Sequence, residues 1–198
     1  MSGDMLSLIL WIVIGYLLGT IPFGIVISRA MGLGDLRKIG SGNIGATNVL
    51  RTGNKGAAAA TLVLDGFKGA LAVLLALWLA PEGVAKWAGL AALVGHCYPV
   101  WLRFKGGKGV ATYLGVVLAL SWPVGLLCCA TWLFAAVISR ISSVGALTAA
   151  MSTTVWMFMM ARVDLLVMGT LMTALIYWRH RANLARLREG TEPKIGKK

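Results

Sequence analysis

Residues 104–112, Phe-Lys-Gly-Gly-Lys-Gly-Val-Ala-Thr, have the composition of an anion site. Glycine has no Cβ, so a ligand can approach its backbone, and it tolerates positive φ. Successive N–H groups in such a turn form an anion-binding nest. The apolar run starting at Gly109 predicts a helix whose N-terminus, the positive end of its dipole, faces the same spot. Lys105 and Lys108 supply full charges, and a phosphate is the natural guest. The plain alternative is a basic turn on the cytosolic side of a membrane protein. A Walker A loop is excluded, because Lys108 is followed by Gly109 and not by the Ser or Thr that would hold Mg²⁺.

Two more polar stretches carry chemistry. Residues 32–56 contain Ser41-Gly-Asn-Ile-Gly-Ala-Thr-Asn48-Val-Leu-Arg51. Ser41 and Asn43 are capping residues whose side chains and nearby N–H groups suit an anion. Thr47 and Arg51 fall four apart on a short helix, with Gly53 as its C-cap. An ordinary turn is the competing reading, since Ser, Gly and Asn are the usual turn formers. The third stretch is the tail beyond Tyr177, where His180 and Asn183 lie on one side of a helix, about 60° apart at ~100° per residue. Its arginines alone would suit a snorkelling anchor on anionic lipid, but a His and an Asn add little to one. Two other polar groups lie between these stretches. Asp65 and Lys68, three apart on a helix face, read as a structural ion pair. His96, upstream of Pro99, reads as a group that orients the glycine loop.

The elements that position these residues are apolar. Of 198 residues 58% are hydrophobic and 13% charged, with mean hydropathy +0.80. No soluble domain of this size has an interior that could hide so much apolar surface. The expectation is an all-α polytopic membrane protein forming one integral-membrane domain over residues 1–198. Three cysteines and two histidines show neither a disulfide framework nor a metal spacing. No Lys or Arg precedes the first apolar run, which argues against a cleaved signal peptide.

Residues 5–27, 57–80 and 84–102 read as spans, and so do 142–160 and 165–178. Gly15, Gly19 and Gly24 permit close helix packing in the first of them. Residues 109–140 are one kinked helix or two helices turning at Ser121-Trp-Pro123. Charge favours two. Sixteen of the nineteen Lys and Arg then fall inside, against Lys86 and Arg162 outside and Lys68 within a span. A single helix would put the basic tail outside, against the positive-inside rule. The expected topology is seven transmembrane helices with the N-terminus outside, the C-terminus cytosolic and all three polar stretches on the cytosolic side. The net charge of +12 then reports orientation and anionic lipid contact, not nucleic acid.

Three long patterns occur in order: Ser41-Gly-Asn-x-Gly-Ala-Thr-Asn-x-x-Arg51, Gly95-His-x-x-Pro-x-x-x-x-Phe-Lys-Gly-Gly-Lys-Gly-Val-Ala-Thr112, and Arg179-His-x-x-Asn-x-x-Arg-Leu-x-x-Gly-x-Glu192-x-Lys194. Together with Asp65-x-x-Lys-Gly69 they resemble the motifs of the bacterial acylphosphate-dependent glycerol-3-phosphate acyltransferases, the PlsY family. The resemblance covers nearly the whole chain and departs only at Leu184, where the family often has isoleucine. It implies transfer of an acyl group from acyl phosphate to the sn-1 hydroxyl of glycerol 3-phosphate, in a bacterial inner membrane, with the glycine loop holding the glycerol 3-phosphate. By that likeness the substrate-binding residues are Ser41, Gly42, Asn43, Thr47, Asn48 and Arg51, then His96, Lys105, Gly106, Gly107, Lys108, Gly109 and Thr112, then His180 and Asn183. Ser41, Arg51, His180 and Asn183 are expected to act in catalysis. No cofactor or metal is expected. The chain is expected to be a monomer among membrane lipids, with a functional partner that makes acyl phosphate.

The residues support a mechanism of positioning and charge stabilisation. The His-x-x-x-x-Asp pair of acyl-CoA acyltransferases is absent, because His96 has Trp101 at that spacing and His180 has Ala185. Acids are too few for a Ser-His-Asp set. Phosphate is already a good leaving group and is the favoured proton acceptor, with His180 as the alternative base. A transporter for an organic phosphate would want a polar path through the spans, and the outer half is nearly uncharged apart from turns. A lipid-binding scaffold would not need Ser41, Asn43, His180 and Asn183.

The charge partition generates a topology test. Cysteines introduced beside Asn43, Gly106 and Gly190 should be shielded from an outside-only thiol reagent, and cysteines beside Gly83 and Val163 should react. Outside labelling of Gly190→Cys would refute the seven-span arrangement.

Overall fold

Pro22 interrupts the first apolar run. In the computed structural model, which describes residues 2–196, helix α1 (Ser2–Gly19) stops short of it and α2 (Phe23–Ala30) starts just after it. Proline has no N–H and its ring crowds the preceding turn, so the helical ladder cannot pass through. The expected single span over 5–27 is therefore a broken one, and the break exposes the carbonyls of Thr20 and Ile21. The Trp101 indole donates to Thr20 O at 3.0 Å and the Lys68 ammonium to Ile21 O at 2.6 Å. In hydrocarbon each unsatisfied carbonyl would cost several kcal/mol, on the order of 2–7.

The chain forms two compact units, one running to Leu120 and one beginning at Ser121. In the first, a 3-10 turn (Leu36–Lys38) and a short α3 (Ala46–Leu50) lead to α4 (Lys55–Leu79). Next come α5 (Ala85–Cys97), a 3-10 turn (Val100–Leu102) and α6 (Val110–Leu120). Helix α4 is the hub, in contact with α1, α2, α3, α5 and α6. Asn54 starts it by accepting the Ala57 N–H at 2.9 Å, a side-chain N-cap. Its small face is buried, with Ala72, Val73 and Ala76 essentially inaccessible, while Phe67, Leu77 and Trp78 stand outward. Large apolar residues outside and small ones inside suit a helix that packs on its neighbours with one face and meets lipid with the other.

The second unit contains α7 (Trp122–Ser139), α8 (Ser142–Met159), a 3-10 turn (Val163–Leu165), α9 (Leu166–Arg179) and α10 (Arg181–Arg188). Helix α8 packs on both α7 and α9. Residues 109–140 divide as the charge argument expects, with α6 ending at Leu120 and α7 beginning at Trp122. Pro123 occupies the first turn of α7, where its missing N–H costs no helical bond.

Helices occupy all seven segments expected to span, but they differ in length. Among the described residues three candidates reach the length and hydropathy of a crossing: Gly3–Ala30 taken across its break, Lys55–Leu79 and Trp122–Ser139. Helices α5, α6 and α9 have 13, 11 and 14 residues, about 17–21 Å at ~1.5 Å each against a ~30 Å apolar core. The expected span over 84–102 ends early because α5 stops at Cys97, two residues before Pro99.

The glycines of α1 act in packing, as their spacing suggests. A Cβ at Gly19 would fall on the backbone carbonyl of Ala92, and one at Gly15 on that of Ala88, so α1 and α5 meet backbone to backbone. Gly19→Leu should force them apart at a cost of about 1–3 kcal/mol. The expected result is a thermal midpoint in detergent lowered by roughly 2–12 °C, at ~2–4 °C per kcal/mol. An unchanged midpoint would contradict the close crossing.

Candidate active site

The first polar stretch is built around one carboxamide. Asn48, 1% exposed, donates from Nδ2 to Leu36 O at 2.8 Å. Its Oδ1 accepts the Ser41 N–H at 3.3 Å and Arg51 Nη1 at 3.2 Å. The 3-10 turn it grips is itself capped by Asp35, which accepts the Arg37 N–H at 3.0 Å. Gly40, at φ +52°, lies where any Cβ would meet Arg51 Nη1 at 2.5 Å. Ser41, Asn48 and Arg51 are thus brought together, with Asn48 buried and holding the other two. Ser41 is exposed, and Gly42, Asn43, Thr47 and Arg51 are half-buried. Arg51 gives one of its five N–H donors to Asn48.

The glycine loop is tied to the end of α5. Gly106 N–H donates to Cys97 O at 3.2 Å and Gly107 N–H to His96 O at 3.1 Å. The expected nest of free amides at Gly106 and Gly107 is therefore not formed; the protein's own carbonyls already occupy those donors. The glycines are required for packing instead. A Cβ on Gly106 would meet Pro99 Cδ at 2.5 Å, and one on Gly107 would strike His96 Nε2. Gly109 takes φ +83° directly ahead of α6, whose N-terminus follows the loop as expected. Lys105 is exposed and Lys108 half-buried. Thr112 is buried and spends its hydroxyl on Asp65 O at 2.9 Å, tying α6 to α4.

Beneath the loop lies a buried charge cluster. Lys68 donates to Asp65 Oδ1 at 2.7 Å, and His96 Nδ1 lies 3.6 Å from the same oxygen. The ion pair was legible from the three-residue spacing. Its third partner, Ile21 O, was not; the only signal for it is Pro22.

In the second unit His180 sits at the junction of α9 and α10, where hydrogen bonding continues through Leu184 N–H to His180 O at 2.9 Å. His180 is buried, and its Nδ1 lies 2.8 Å from Ile176 O. A carbonyl can only accept, so Nδ1 carries the proton and Nε2 of the neutral ring carries the lone pair. Asn183, also buried, donates from Nδ2 to Glu192 Oε1 at 2.5 Å. That carboxylate oxygen also accepts Ser143 Oγ at 2.7 Å, and Oε2 accepts Arg186 Nε at 2.6 Å. Because a carboxylate only accepts, the Asn183 amide cannot flip, and its Oδ1 points away, buried and without a hydrogen-bond partner among the described residues. Ile195 N–H donates to Arg140 O at 2.7 Å, which holds the tail back on its own unit. Sequence reasoning missed Ser143, and it placed Glu192 in the third pattern without a role. The available signal was a pair of carboxylates, Glu189 and Glu192, in an otherwise basic tail.

These features define a class: a helical membrane protein that presents cations, a fixed imidazole and a fixed carboxamide in otherwise apolar surroundings. Comparison with known proteins makes it specific. The family model for glycerol-3-phosphate acyltransferase matches residues 9–190, and the chain belongs to that family. The glycerol-3-phosphate acyltransferase of Ruegeria pomeroyi is 64% identical over 193 residues, 98% of this chain and 95% of the relative. That of Roseobacter denitrificans is 62% identical over 192 residues, 97% and 96% of the two chains. Among solved structures, PlsY, an integral membrane glycerol 3-phosphate acyltransferase, in its glycerol 3-phosphate form has a TM-score of 0.90 at 41% identity over 96% of each chain. Its lysophosphatidic acid form has a TM-score of 0.89 at 40% identity, again over 96% of each chain. The chain is an acyltransferase of an integral-membrane family, and phospholipid synthesis follows from that activity.

The Glu192 network predicts a pH effect. Burial alone would raise this carboxyl, but hydrogen bonds from Asn183, Ser143 and Arg186 outweigh it and hold it below the usual 4.5. A depressed folded pKa gives stability that is full above about 4.5 and is lost as pH falls through the folded value. Glu192→Gln should lower the thermal midpoint at pH 7, with a loss of about 2–4 kcal/mol from charge-assisted bonds. The gap to wild type should narrow as pH falls from about 4.5 through the lower folded value. A gap independent of pH would show that the carboxylate charge is not the stabilising element.

Proposed function

We propose that this chain transfers an acyl group from acyl phosphate to the sn-1 hydroxyl of glycerol 3-phosphate, giving 1-acyl-sn-glycerol 3-phosphate and inorganic phosphate. The observation that carries the reading is the likeness, over nearly the full chain, to PlsY solved with glycerol 3-phosphate and with lysophosphatidic acid, the acceptor and product of that transfer. Acyl phosphate as donor is supported by the absence of a His-x-x-x-x-Asp pair and by the leaving ability of phosphate itself.

Lys105 and Lys108, with the first N–H groups of α6, hold the phosphate of glycerol 3-phosphate. Gly106, Gly107 and Gly109 let the loop pack closely enough to place them, His96 supports the loop, and Thr112 keeps α6 on α4. Arg51 and Ser41, braced by Asn48 and flanked by Gly42, Asn43 and Thr47, take the phosphoryl group of the donor and the charge that grows on it as it leaves. His180 Nε2 and Asn183 Oδ1 are acceptors suited to the glycerol hydroxyl. The hydroxyl oxygen bonds to the acyl carbon, the carbon–phosphate oxygen bond breaks, and the proton passes to the leaving phosphate. The protein works as a monomer, crosses a bacterial cytoplasmic membrane seven times with the reacting groups on the cytosolic side, and draws acyl phosphate from another enzyme.

Purified protein given acyl phosphate and glycerol 3-phosphate should release lysophosphatidate and phosphate in equal amounts, with turnover on acyl-CoA at least about 10²-fold lower, the scale of a lost general acid–base contribution. Comparable rates with acyl-CoA would refute the donor assignment. His180→Gln should keep part of the rate, with a pH limb near ~6–7 like wild type, because a phosphate titrates there. A loss on the order of 10²–10⁴-fold together with loss of that limb would instead make His180 the base.

A further inference from the structure

Asp65 and Lys68 are both 2% exposed and face no substrate role in the reading above. A buried ion pair is poor value as a stabiliser, since apolar residues of similar volume are often as good or better. What a pair supplies is direction, and here the direction can be followed. The Lys68 ammonium bridges Ile21 O at 2.6 Å and Asp65 Oδ1 at 2.7 Å, with the Phe23 ring centroid 5.7 Å away. Beyond the carboxylate stands the His96 ring, Nδ1 3.6 Å from Asp65 Oδ1. The opposite edge of that ring, at Nε2, occupies the space a Cβ on Gly107 would need. The backbone of the same histidine accepts the Gly107 N–H at 3.1 Å. A continuous series of contacts therefore runs from the break between α1 and α2, through α4 and α5, to the glycine loop.

We infer that Asp65 and Lys68 are positioning residues for the glycine loop: anchored on the Ile21 carbonyl, the pair sets the His96 ring against Gly107 and so fixes where Lys105 and Lys108 stand. The kinetic consequence rests on the reading of that loop as the glycerol 3-phosphate site; the structural one does not. The ring cannot turn without either losing Asp65 or colliding with the loop. Loosening the pair should therefore act on acceptor binding and leave the donor untouched.

Two readouts on the full-length protein test this. Hydrogen exchange of the peptide covering residues 104–110 reports the Gly106 and Gly107 amides whether or not the enzyme turns over. In Asp65→Asn that peptide should exchange at least tenfold faster than in wild type, with peptides from α7 to α9 unchanged. In kinetics the same variant should raise KM for glycerol 3-phosphate fivefold or more, with kcat within twofold and KM for acyl phosphate unchanged. Lys68→Met leaves a buried carboxylate uncompensated and is the variant at risk of failing to insert. The charge-neutral Asp65→Asn/Lys68→Met protein and His96→Gln should reproduce both effects in its place. Gly107→Ala should raise KM strongly in wild type and little in a His96→Ala background, where the ring no longer fills the Cβ position. Unchanged exchange in the loop, a fall in kcat at constant KM, or equal rises in both KM values would overturn the inference. Wild-type protein that does not acylate glycerol 3-phosphate, but whose loop still loosens in Asp65→Asn, would overturn the proposed reaction while supporting the positioning role.

Discussion

A carbonyl freed from its helix within an apolar run needs another donor, and much of the first unit is arranged around two such carbonyls. Pro22 breaks the first apolar run and leaves Thr20 O and Ile21 O without helical partners. The protein answers with Trp101 on one and Lys68 on the other. A buried ammonium needs a counter-charge, which Asp65 supplies one turn away on α4. The same carboxylate oxygen lies 3.6 Å from the His96 ring, and His96 meets the glycine loop with both its ring and its carbonyl. A backbone defect in one helix thus specifies polar residues on the next two.

The glycine loop shows how one composition serves two purposes. Lysines among glycines suggest free amides waiting for an anion. In the folded chain the Gly106 and Gly107 amides are already given to the end of α5, and the absent side chains make room for His96 and Pro99. These bonds fix the backbone between Lys105 and Lys108 to the end of α5. The close fit is also why an alanine there would disturb position as well as access.

The third polar cluster applies the same logic with a different anchor. One carboxylate, Glu192, collects three donors, and its acceptor-only chemistry sets the Asn183 amide in one orientation. The carbonyl of Ile176 does the same for the His180 ring. Both side chains are thereby held in one orientation by groups of their own unit.

Much of this was determined by residue type and spacing alone. Apolar runs and Lys/Arg partition yielded an all-helical membrane chain and the division at Ser121-Trp-Pro123, because hydrophobic length and helix breakers are local properties. The three polar patterns led to the family, and the Asp65–Lys68 pair followed from helical spacing. Tertiary structure decided what those residues face. Pro22 is visible in the sequence, but which side chain would cap the freed carbonyl depends on packing between segments 47 residues apart. Whether the loop amides are free or spent, which way Asn183 points, and why Gly107 must lack a Cβ all turn on contacts between helices. Periodicity along one chain carries no information about such contacts, because hydrogen-bond partners are chosen by proximity in space.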